Sequence, residues 1–259
     1  LQIAFPNQSN EERKQIRKDF YRYFADLLVE SVKNLSISKK QLLERMHLEN
    51  PEILEEIKAL NKPILLVAGH YNNWEWLITA QASWFKQPSY GIGMPLSHPF
   101  WNQKLTERRE RFGLKVVHAQ NYQEAFEAKN PVVLVLADQA PSSPTECLWI
   151  PFLHQNTAVI FGPEYMANKF NCSVVFADIK HSKRGYYNVN IEVLVKDSKT
   201  LHYQELTRMH VQKLEQQIKD NPTRWLWSHK RWKHQQPANW QNQLQMLKSR
   251  FEEKFRRNA

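Results

Sequence analysis

The chain has 259 residues and a mass of 30.9 kDa, a length that one large α/β domain can accommodate. Hydrophobic residues make up 42%, aromatic residues 12% and charged residues 24%, which suffices for a packed core and excludes a disordered chain. The formal net charge is +10, and residues 221–259 hold nine basic but only two acidic residues. This block favours contact with a polyanion, such as nucleic acid, anionic lipid or an acidic carrier protein, with a solvated helical tail as the alternative.

Cysteine and histidine usage argues against a metal or disulfide framework. Cys147 and Cys172 are the only cysteines and form no C-x-x-C pair, and the ten histidines are scattered. Phosphate loops of the Walker or dinucleotide type are missing as well, so we expect no metal and no cofactor. The apolar runs are too short to cross a bilayer, which takes about 20 residues. The chain begins at Leu1 rather than Met, so a removed upstream anchor stays an open alternative.

Residues 1–60 are predicted to be helical. Ser9 and Glu12 have capping-box spacing, and apolar residues recur at helical intervals up to Val32. Two short helices follow, over Ser38–His47 and Pro51–Leu60. An aromatic stripe in the first helix is predicted to face the core, with a membrane surface as the alternative; it consists of Phe20, Tyr21, Tyr23 and Phe24.

Residues 61–200 alternate between strand and helix patterns, which is typical of an α/β sheet. The predicted strands are Ile64–Ala68, Tyr90–Met94, Lys115–His118, Val132–Leu136, Val174–Lys180 and Tyr187–Val195. The predicted helices are Asn73–Phe85, Pro99–Phe112, Tyr122–Ala128 and Pro163–Phe170. A long loop over Asp138–Asn156 is expected to form a lid or a wall of a site.

Residues 201–259 form a basic helical C-terminal region, with predicted helices over Tyr203–Lys219 and Trp240–Arg256. The last two strands are expected to pair antiparallel. We therefore predict one α/β domain over residues 1–259, with a central mixed β-sheet flanked by helices.

The segment from Gly69 to Trp76 directly follows the most hydrophobic strand. Ligands in open α/β sheets collect at the carboxyl ends of the strands, so His70 lies where catalysis is expected. Glu75 can meet His70 only if His70 lies in a turn and Glu75 in the first turn of the next helix. A carboxylate bonded to one imidazole nitrogen leaves the other as a base. A histidine satisfied by backbone is the alternative.

No covalent nucleophile accompanies His70, because the sequence contains no G-x-S-x-G motif and neither cysteine has a partner nearby. A base without a nucleophile suggests direct transfer, in which an acceptor hydroxyl loses its proton and attacks an activated carbonyl.

Several blocks in order along the chain carry a family resemblance. They are Gly69-His70-x4-Glu75, the arginine run ending at Gly113, the acidic block at Asp138, Pro151-Phe152, Gly162-Pro163, and the Trp-rich stretch from Pro222 to Lys233. Together they resemble the bacterial lipid A biosynthesis acyltransferase branch of the lysophospholipid acyltransferase superfamily. The resemblance implies a glycerolipid acyltransferase-like fold and transfer of a fatty acyl chain from acyl carrier protein or coenzyme A to a lipid hydroxyl.

Residue by residue, the resemblance implies that His70 is the base and Glu75 its orienting partner. Arg109 is implied to bind a phosphate of the acceptor, with Arg108 and Arg111 as neighbouring candidates, since a guanidinium makes bidentate bonds to phosphate. Asp138 is implied to be a further essential acidic residue. A solvated helix face is the alternative for the arginines, and a cap or loop-closing carboxylate is the alternative for Asp138.

The resemblance also implies a place and partners: the cytoplasmic face of a bacterial inner membrane, an acyl carrier protein, a lipid acceptor and an anionic membrane surface. Trp225, Trp227 and Trp232 alternate with cationic residues as at a membrane interface, although at least two of them are expected in the core.

Asn72-Asn73-Trp74 is unlike the best-known lipid A members, so other acceptors stay open, including lysophospholipids, aminolipids and glycolipids. Two further alternatives are a nucleic-acid-binding protein, favoured by the basic charge but lacking any recognised nucleic-acid module, and a lipid hydrolase in which His70 activates water.

Overall fold

The computed structural model describes residues 1–145 and 147–256, so Arg257 of the basic block lies outside the described residues. The helices are α1 (Asn10–Lys33), α2 (Lys39–Arg45), α3 (Glu52–Ala59), α4 (Trp74–Phe85), α5 (Pro99–Glu110), α6 (Gly162–Phe170), α7 (Glu205–Asp220) and α8 (Trp240–Phe255). The strands are β1 (Met46–Leu48), β2 (Ile64–Ala68), β3 (Ser89–Gly93), β4 (Leu114–His118), β5 (Val132–Leu136), β6 (Leu148–Phe152), β7 (Gln155–Val159), β8 (Ser173–Lys183) and β9 (Tyr186–Val195). Short 3₁₀ turns cover Ala119–Phe126, Ser198–Thr200 and Pro222–Arg224.

Seven strands form one mixed sheet in the order β1-β9-β8-β2-β5-β3-β4. Neighbouring strands run parallel except for the antiparallel pair β8 and β9. The helices flank this sheet. The predicted fold class, an α/β fold with a central mixed sheet flanked by helices, is confirmed.

The centre of the sheet is buried on both faces, as expected for parallel strands covered by helices. β2 is apolar throughout and every residue in it is buried. Alternate residues of β2 and β5 enter two hydrophobic clusters: one on the side of α1, α2 and α4, the other on the side of α6. The carboxyl ends of the central strands are thus held between two hydrophobic layers, one on each face of the sheet.

α1 begins at the predicted capping box, where Ser9 and Glu12 exchange side-chain and backbone hydrogen bonds. Of its aromatic stripe, Phe20 and Tyr23 are buried, whereas Tyr21 is 63% exposed. The prediction that the stripe faces the core is therefore correct for Phe20 and Tyr23 but not for Tyr21.

Two sequence-based predictions are wrong. The second half of the expected loop Asp138–Asn156 is a β-hairpin of β6 and β7. Pro151 lies within β6 and argues against a strand in the sequence, because prolines in sheets are confined to edge strands, strand starts and bulges. The hairpin turns through Leu153 and His154, both with positive φ (49° and 62°), where asparagine and glycine usually signal such a turn.

The second error concerns the end of the second predicted helix. α2 ends at Arg45, and β1 then pairs in parallel with β9 and forms one edge of the sheet. A strand of three residues carries too little periodicity to be read from sequence.

Candidate active site

His70 and Asp138 meet because β2 and β5 are neighbours in the sheet. The register pairs Ala68 with Leu136, and His70 and Asp138 each lie two residues beyond. The ladder continues past the strands, since the Ala137 N–H donates to the Ala68 carbonyl at 2.9 Å. The His70 Nδ1 lies 2.6 Å from Asp138 Oδ1, and the backbone N–H of His70 donates to Asp138 Oδ2 at 2.9 Å.

This pairing defines the chemistry of the imidazole. Burial by itself raises the pKa of the Asp138 carboxyl, but the charge and hydrogen bonds of His70, with the indole of Trp225, outweigh burial and lower it to about 2. An ionised carboxylate only accepts hydrogen bonds, so Nδ1 carries a proton and Nε2 holds the lone pair. The His70 side chain is 16% exposed and that of Asp138 only 3%. Nε2 is therefore a base that faces outward.

Polar contacts hold the turn after β2 in place. Asn72 has a left-handed φ of 51°, a conformation that asparagine tolerates better than most residues. Its side chain donates to the Ile179 carbonyl, and its own carbonyl accepts the Tyr23 hydroxyl at 2.6 Å. Asn73 caps α4 by accepting the Trp76 N–H at 2.9 Å. The Asn-Asn pair thus shapes the turn that presents His70.

Glu75 is not the hydrogen-bond partner of His70, which corrects the sequence-based interpretation. It lies in the first turn of α4 as expected, but its carboxylate points to α5. Its Oε1 accepts from Arg109 Nη2 at 2.6 Å, and its Oε2 accepts from Arg108 Nη2 at 2.7 Å and from Arg109 Nε at 3.1 Å. Burial alone raises the pKa of Glu75, but the two guanidinium groups, Arg109 foremost, bring it below its usual value. Glu75 therefore anchors α5 to α4.

The three candidate arginines point in different directions. Arg109 lines the cavity beside His70. Arg108 turns to α1, where it reaches the Ser31 carbonyl. Arg111 donates to the Asn34 carbonyl at 2.9 Å and does not line the cavity. The structure thus brings only Arg109 of the three to the site, with part of its charge balanced by Glu75.

A cavity of about 850 Å³ opens beside His70. Its deep part is apolar: Gly91 pairs with Val116 and Leu134 in the register of β3, β4 and β5, and Ile78 of α4 covers them. These strand residues lie two positions before the strand ends, roughly 7 Å inside the sheet edge. The cavity therefore joins a base at its mouth to an apolar interior.

Sequence reasoning missed two residues of this mouth. The side-chain nitrogen of Gln139 lies 3.3 Å from His70 Nε2, and Lys233 lines the rim and is exposed. Gln139 could have been found as the neighbour of Asp138. No local sequence pattern predicts that Lys233 lies beside the end of a strand some ninety residues earlier in the chain.

The Trp-rich stretch is largely a packed element. Trp225 is 2% exposed and Arg231 is 4% exposed. Trp227 and Trp232 are half-buried and pack on Trp225 at ring-centroid distances of 4.8 Å and 6.0 Å. At least two of these tryptophans are expected in the core, but only Trp225 is fully buried, while Trp227 and Trp232 pack against the core as half-buried side chains. The interface interpretation does not fit Trp225.

The described residues contain neither a candidate metal cluster nor a candidate membrane-spanning helix. Across residues 1–145 and 147–256, no group of three or more histidine, cysteine, aspartate or glutamate side chains could hold a metal ion. In the same part of the chain, every helix is too short or too polar to cross a bilayer.

Comparison with known families identifies a match over most of the chain. The model of the family described as bacterial lipid A biosynthesis acyltransferase matches residues 1–234. This range includes the His70 turn, Asp138, the arginines of α5 and Lys233. No curated protein shows significant similarity to the chain.

Proposed function

Because the chain belongs to the bacterial lipid A biosynthesis acyltransferase family and is therefore an acyltransferase, we propose that it moves a fatty acyl chain from a thioester to a lipid hydroxyl. The donor is acyl carrier protein or coenzyme A, and the acceptor is lipid A or a related bacterial envelope lipid. One observation carries the proposal: the His70–Asp138 pair opens onto a cavity with an apolar interior.

The reaction begins with proton transfer. Nε2 of His70 takes the proton of the acceptor hydroxyl while Asp138 stays ionised and stabilises the imidazolium. The acceptor oxygen attacks the thioester carbonyl, which forms a C–O bond and a tetrahedral oxyanion. Collapse of this intermediate breaks the C–S bond, and the leaving thiolate takes the proton from Nε2. The base is regenerated, and no covalent enzyme intermediate forms.

Binding of the two substrates follows from the cavity. The acyl chain lies in the apolar interior, where each buried methylene contributes about 0.8 kcal/mol. Arg109 and Lys233 line the same cavity as His70 and supply positive charge there. These cations suit a phosphate of the acceptor headgroup or of the donor's carrier arm.

Exposed apolar side chains at the cavity rim support membrane contact. Met94 and Leu96 line the cavity yet are 68% and 47% exposed, and the adjacent Phe100 and Trp101 are 52% and 61% exposed. Exposed apolar side chains beside a binding cleft are typical of an interaction surface. We assign it to the lipid surface from which the acceptor enters.

The test of the reaction uses purified protein, a panel of acyl-carrier-protein and coenzyme A thioesters, and candidate lipid acceptors, with mass spectrometry as readout. The acceptor gains one acyl chain with the wild type, and His70→Ala abolishes the gain. His47→Ala, at an exposed histidine of β1, is the matched control and stays active. A folded His70→Ala variant with wild-type transfer overturns the assignment of the base.

The same assay separates transfer from hydrolysis. A transferase releases little free fatty acid once acceptor is present, because the acceptor hydroxyl replaces water. Equal release with and without acceptor would instead identify a hydrolase.

Membrane contact is tested with vesicles of phosphatidylethanolamine and phosphatidylglycerol. Changing Leu96, Phe100 and Trp101 to serine lowers vesicle binding, and transfer to acceptor in vesicles falls with it. A matched triple serine variant of Leu28, Val29 and Val32, exposed on α1, keeps both. Equal binding by the two variants would contradict the assigned surface.

A further inference from the structure

The stretch after α7 returns to the catalytic turn as an additional strand-like contact. The Asn72 N–H donates to the Arg224 carbonyl at 2.9 Å, and the Leu226 N–H donates to the His70 carbonyl at 3.1 Å. These bonds flank an antiparallel bridge between Tyr71 and Trp225. The backbone on which His70 is mounted is thus paired with residues 224–226.

The side chain of Trp225 reaches the His70–Asp138 dyad itself. Its indole N–H donates to Asp138 Oδ2 at 2.8 Å, and the residue is 2% exposed. Asp138 Oδ2 therefore has two donors, the indole and the His70 backbone, while Oδ1 faces His70 Nδ1. Three donors to two oxygens fix the plane of the carboxylate, and that plane sets the direction of the imidazole.

Other residues of this stretch hold the loop after Asp138. His229 Nε2 accepts the Ala140 N–H at 3.1 Å, and His234 Nε2 lies 2.8 Å from the Pro141 carbonyl oxygen. The loop cannot shift freely, and with it Gln139 stays near His70. The bond from the Trp225 indole is therefore one of several contacts that hold Asp138 and the loop after it in place.

We propose that Trp225 is a positioning residue for the transfer reaction, acting through Asp138, an inference that rests on the proposed function. Its indole N–H holds the carboxylate in the one orientation that keeps Nδ1 of His70 bound and Nε2 aimed at the cavity. It also shares the negative charge of Asp138, which moderates the attraction between that carboxylate and the imidazolium. Without the indole donor, Asp138 and His70 are still present, but the carboxylate and the imidazole are no longer held in one orientation.

The variant Trp225→Phe removes the donor and keeps an aromatic ring. A hydrogen bond to a charged group is among the stronger side-chain bonds, so we expect kcat to fall about tenfold. KM for either substrate stays within about twofold, because Trp225 does not line the cavity. The acid limb of the pH–rate profile moves to higher pH, since a carboxylate with fewer donors attracts the imidazolium more strongly.

Trp227→Phe is the matched control. Its indole donates to the Pro222 carbonyl at 2.6 Å and its ring packs on Trp225. Trp227→Phe therefore also loses one indole hydrogen bond in the same cluster, but none to Asp138. We expect kcat and the acid limb to match the wild type. A second donor-free variant, with β-(3-benzothienyl)alanine at position 225, replaces the indole N–H by sulfur at nearly constant shape and covers the case in which Trp225→Phe unfolds.

Proton NMR gives a readout that needs no turnover. The Nδ1–H resonance of His70, identified by its loss in His70→Ala, broadens by exchange with water in both donor-free variants and stays sharp in Trp227→Phe. Failure of the proposed function appears as a wild type without transfer whose resonance still responds to the donor-free variants. The positioning role is overturned when folded donor-free variants match Trp227→Phe in kcat, acid limb and resonance.

Discussion

Replacing Glu75 by glutamine separates an anchoring role for this residue from an orienting role. Glu75 binds Arg108 and Arg109 and has no hydrogen bond to His70. Glutamine keeps the shape but loses the charge, so two guanidinium groups remain without their counter-ion. Removing one partner of a buried ion pair costs about 3–5 kcal/mol.

We expect Glu75→Gln to lose free energy of unfolding at the lower end of that range. The Arg108 and Arg109 side chains are 11% and 18% exposed, so water partly compensates them, and the glutamine oxygen still accepts one bond. A loss of about 3 kcal/mol lowers Tm by roughly 6–12 °C in a chain of this size. Thermal and urea unfolding of Glu75→Gln against wild type measure it.

Kinetics provide the comparison with Asp138→Asn. We expect Glu75→Gln to keep kcat within about threefold at a temperature where it is folded, whereas Asp138→Asn loses about 100-fold or more because the base loses its partner. KM for an anionic acceptor changes in Glu75→Gln, since Arg109 is freed to move. The reasoning is refuted if Glu75→Gln keeps its wild-type Tm and loses as much kcat as Asp138→Asn.

Three other predictions follow from buried groups and the cavity wall. A leucine at position 91 narrows the apolar interior, because a Cβ there meets Leu114 at 3.6 Å and Ile78 at 3.9 Å. In Gly91→Leu, the acyl chain that the wild type prefers therefore loses about tenfold in kcat/KM relative to a chain two carbons shorter. Gly93→Ala, whose Cβ meets only Arg109 at 3.9 Å, keeps the wild-type chain-length preference, and an equal shift in both variants would contradict this. Burial lowers the pKa of His210 from 6.5 to about 4, so the unfolded chain binds the proton more tightly. The contribution of His210 to the free energy of unfolding therefore falls by about 3 kcal/mol between pH 6.5 and 4. Denaturant titrations of His210→Leu should show a change with pH that differs from the wild type by this amount. Burial raises the pKa of the Cys147 thiol to about 11 and of the Cys172 thiol to about 12, so Ellman's reagent at pH 7.5 should react with neither until the protein is unfolded.

The place of His70 at the end of a central strand could be predicted from local sequence, but its hydrogen-bond partner could not. His70 follows an apolar strand, and the general rule for α/β sheets identifies such a turn. Asp138 also ends an apolar strand, yet its pairing with His70 depends on β2 and β5 being neighbours. That order comes from the packing of the whole sheet, whereas the spacing from His70 to Glu75 suggested a nearer carboxylate.

The Trp-rich stretch shows the same limit. A stretch of alternating tryptophan and cationic residues looks the same in sequence whether it faces lipid or packs inside a protein. What decides the matter is long-range contact: Trp225 reaches Asp138, 87 positions earlier in the chain. The fold class was predictable because periodicity is local, and the hairpin of β6 and β7 was not because its turn lacks the usual residues.

The bridge between Tyr71 and Trp225 has a consequence for the order in which the protein is made. Every strand of the seven-stranded sheet ends by Val195, so the nascent chain can complete that sheet before Trp225 leaves the ribosome. Premature termination just before that tryptophan would yield a sheet with its histidine and aspartate present but unbraced. The chain order thus allows the sheet that carries His70 and Asp138 to form before the residue that pairs with their turn is available.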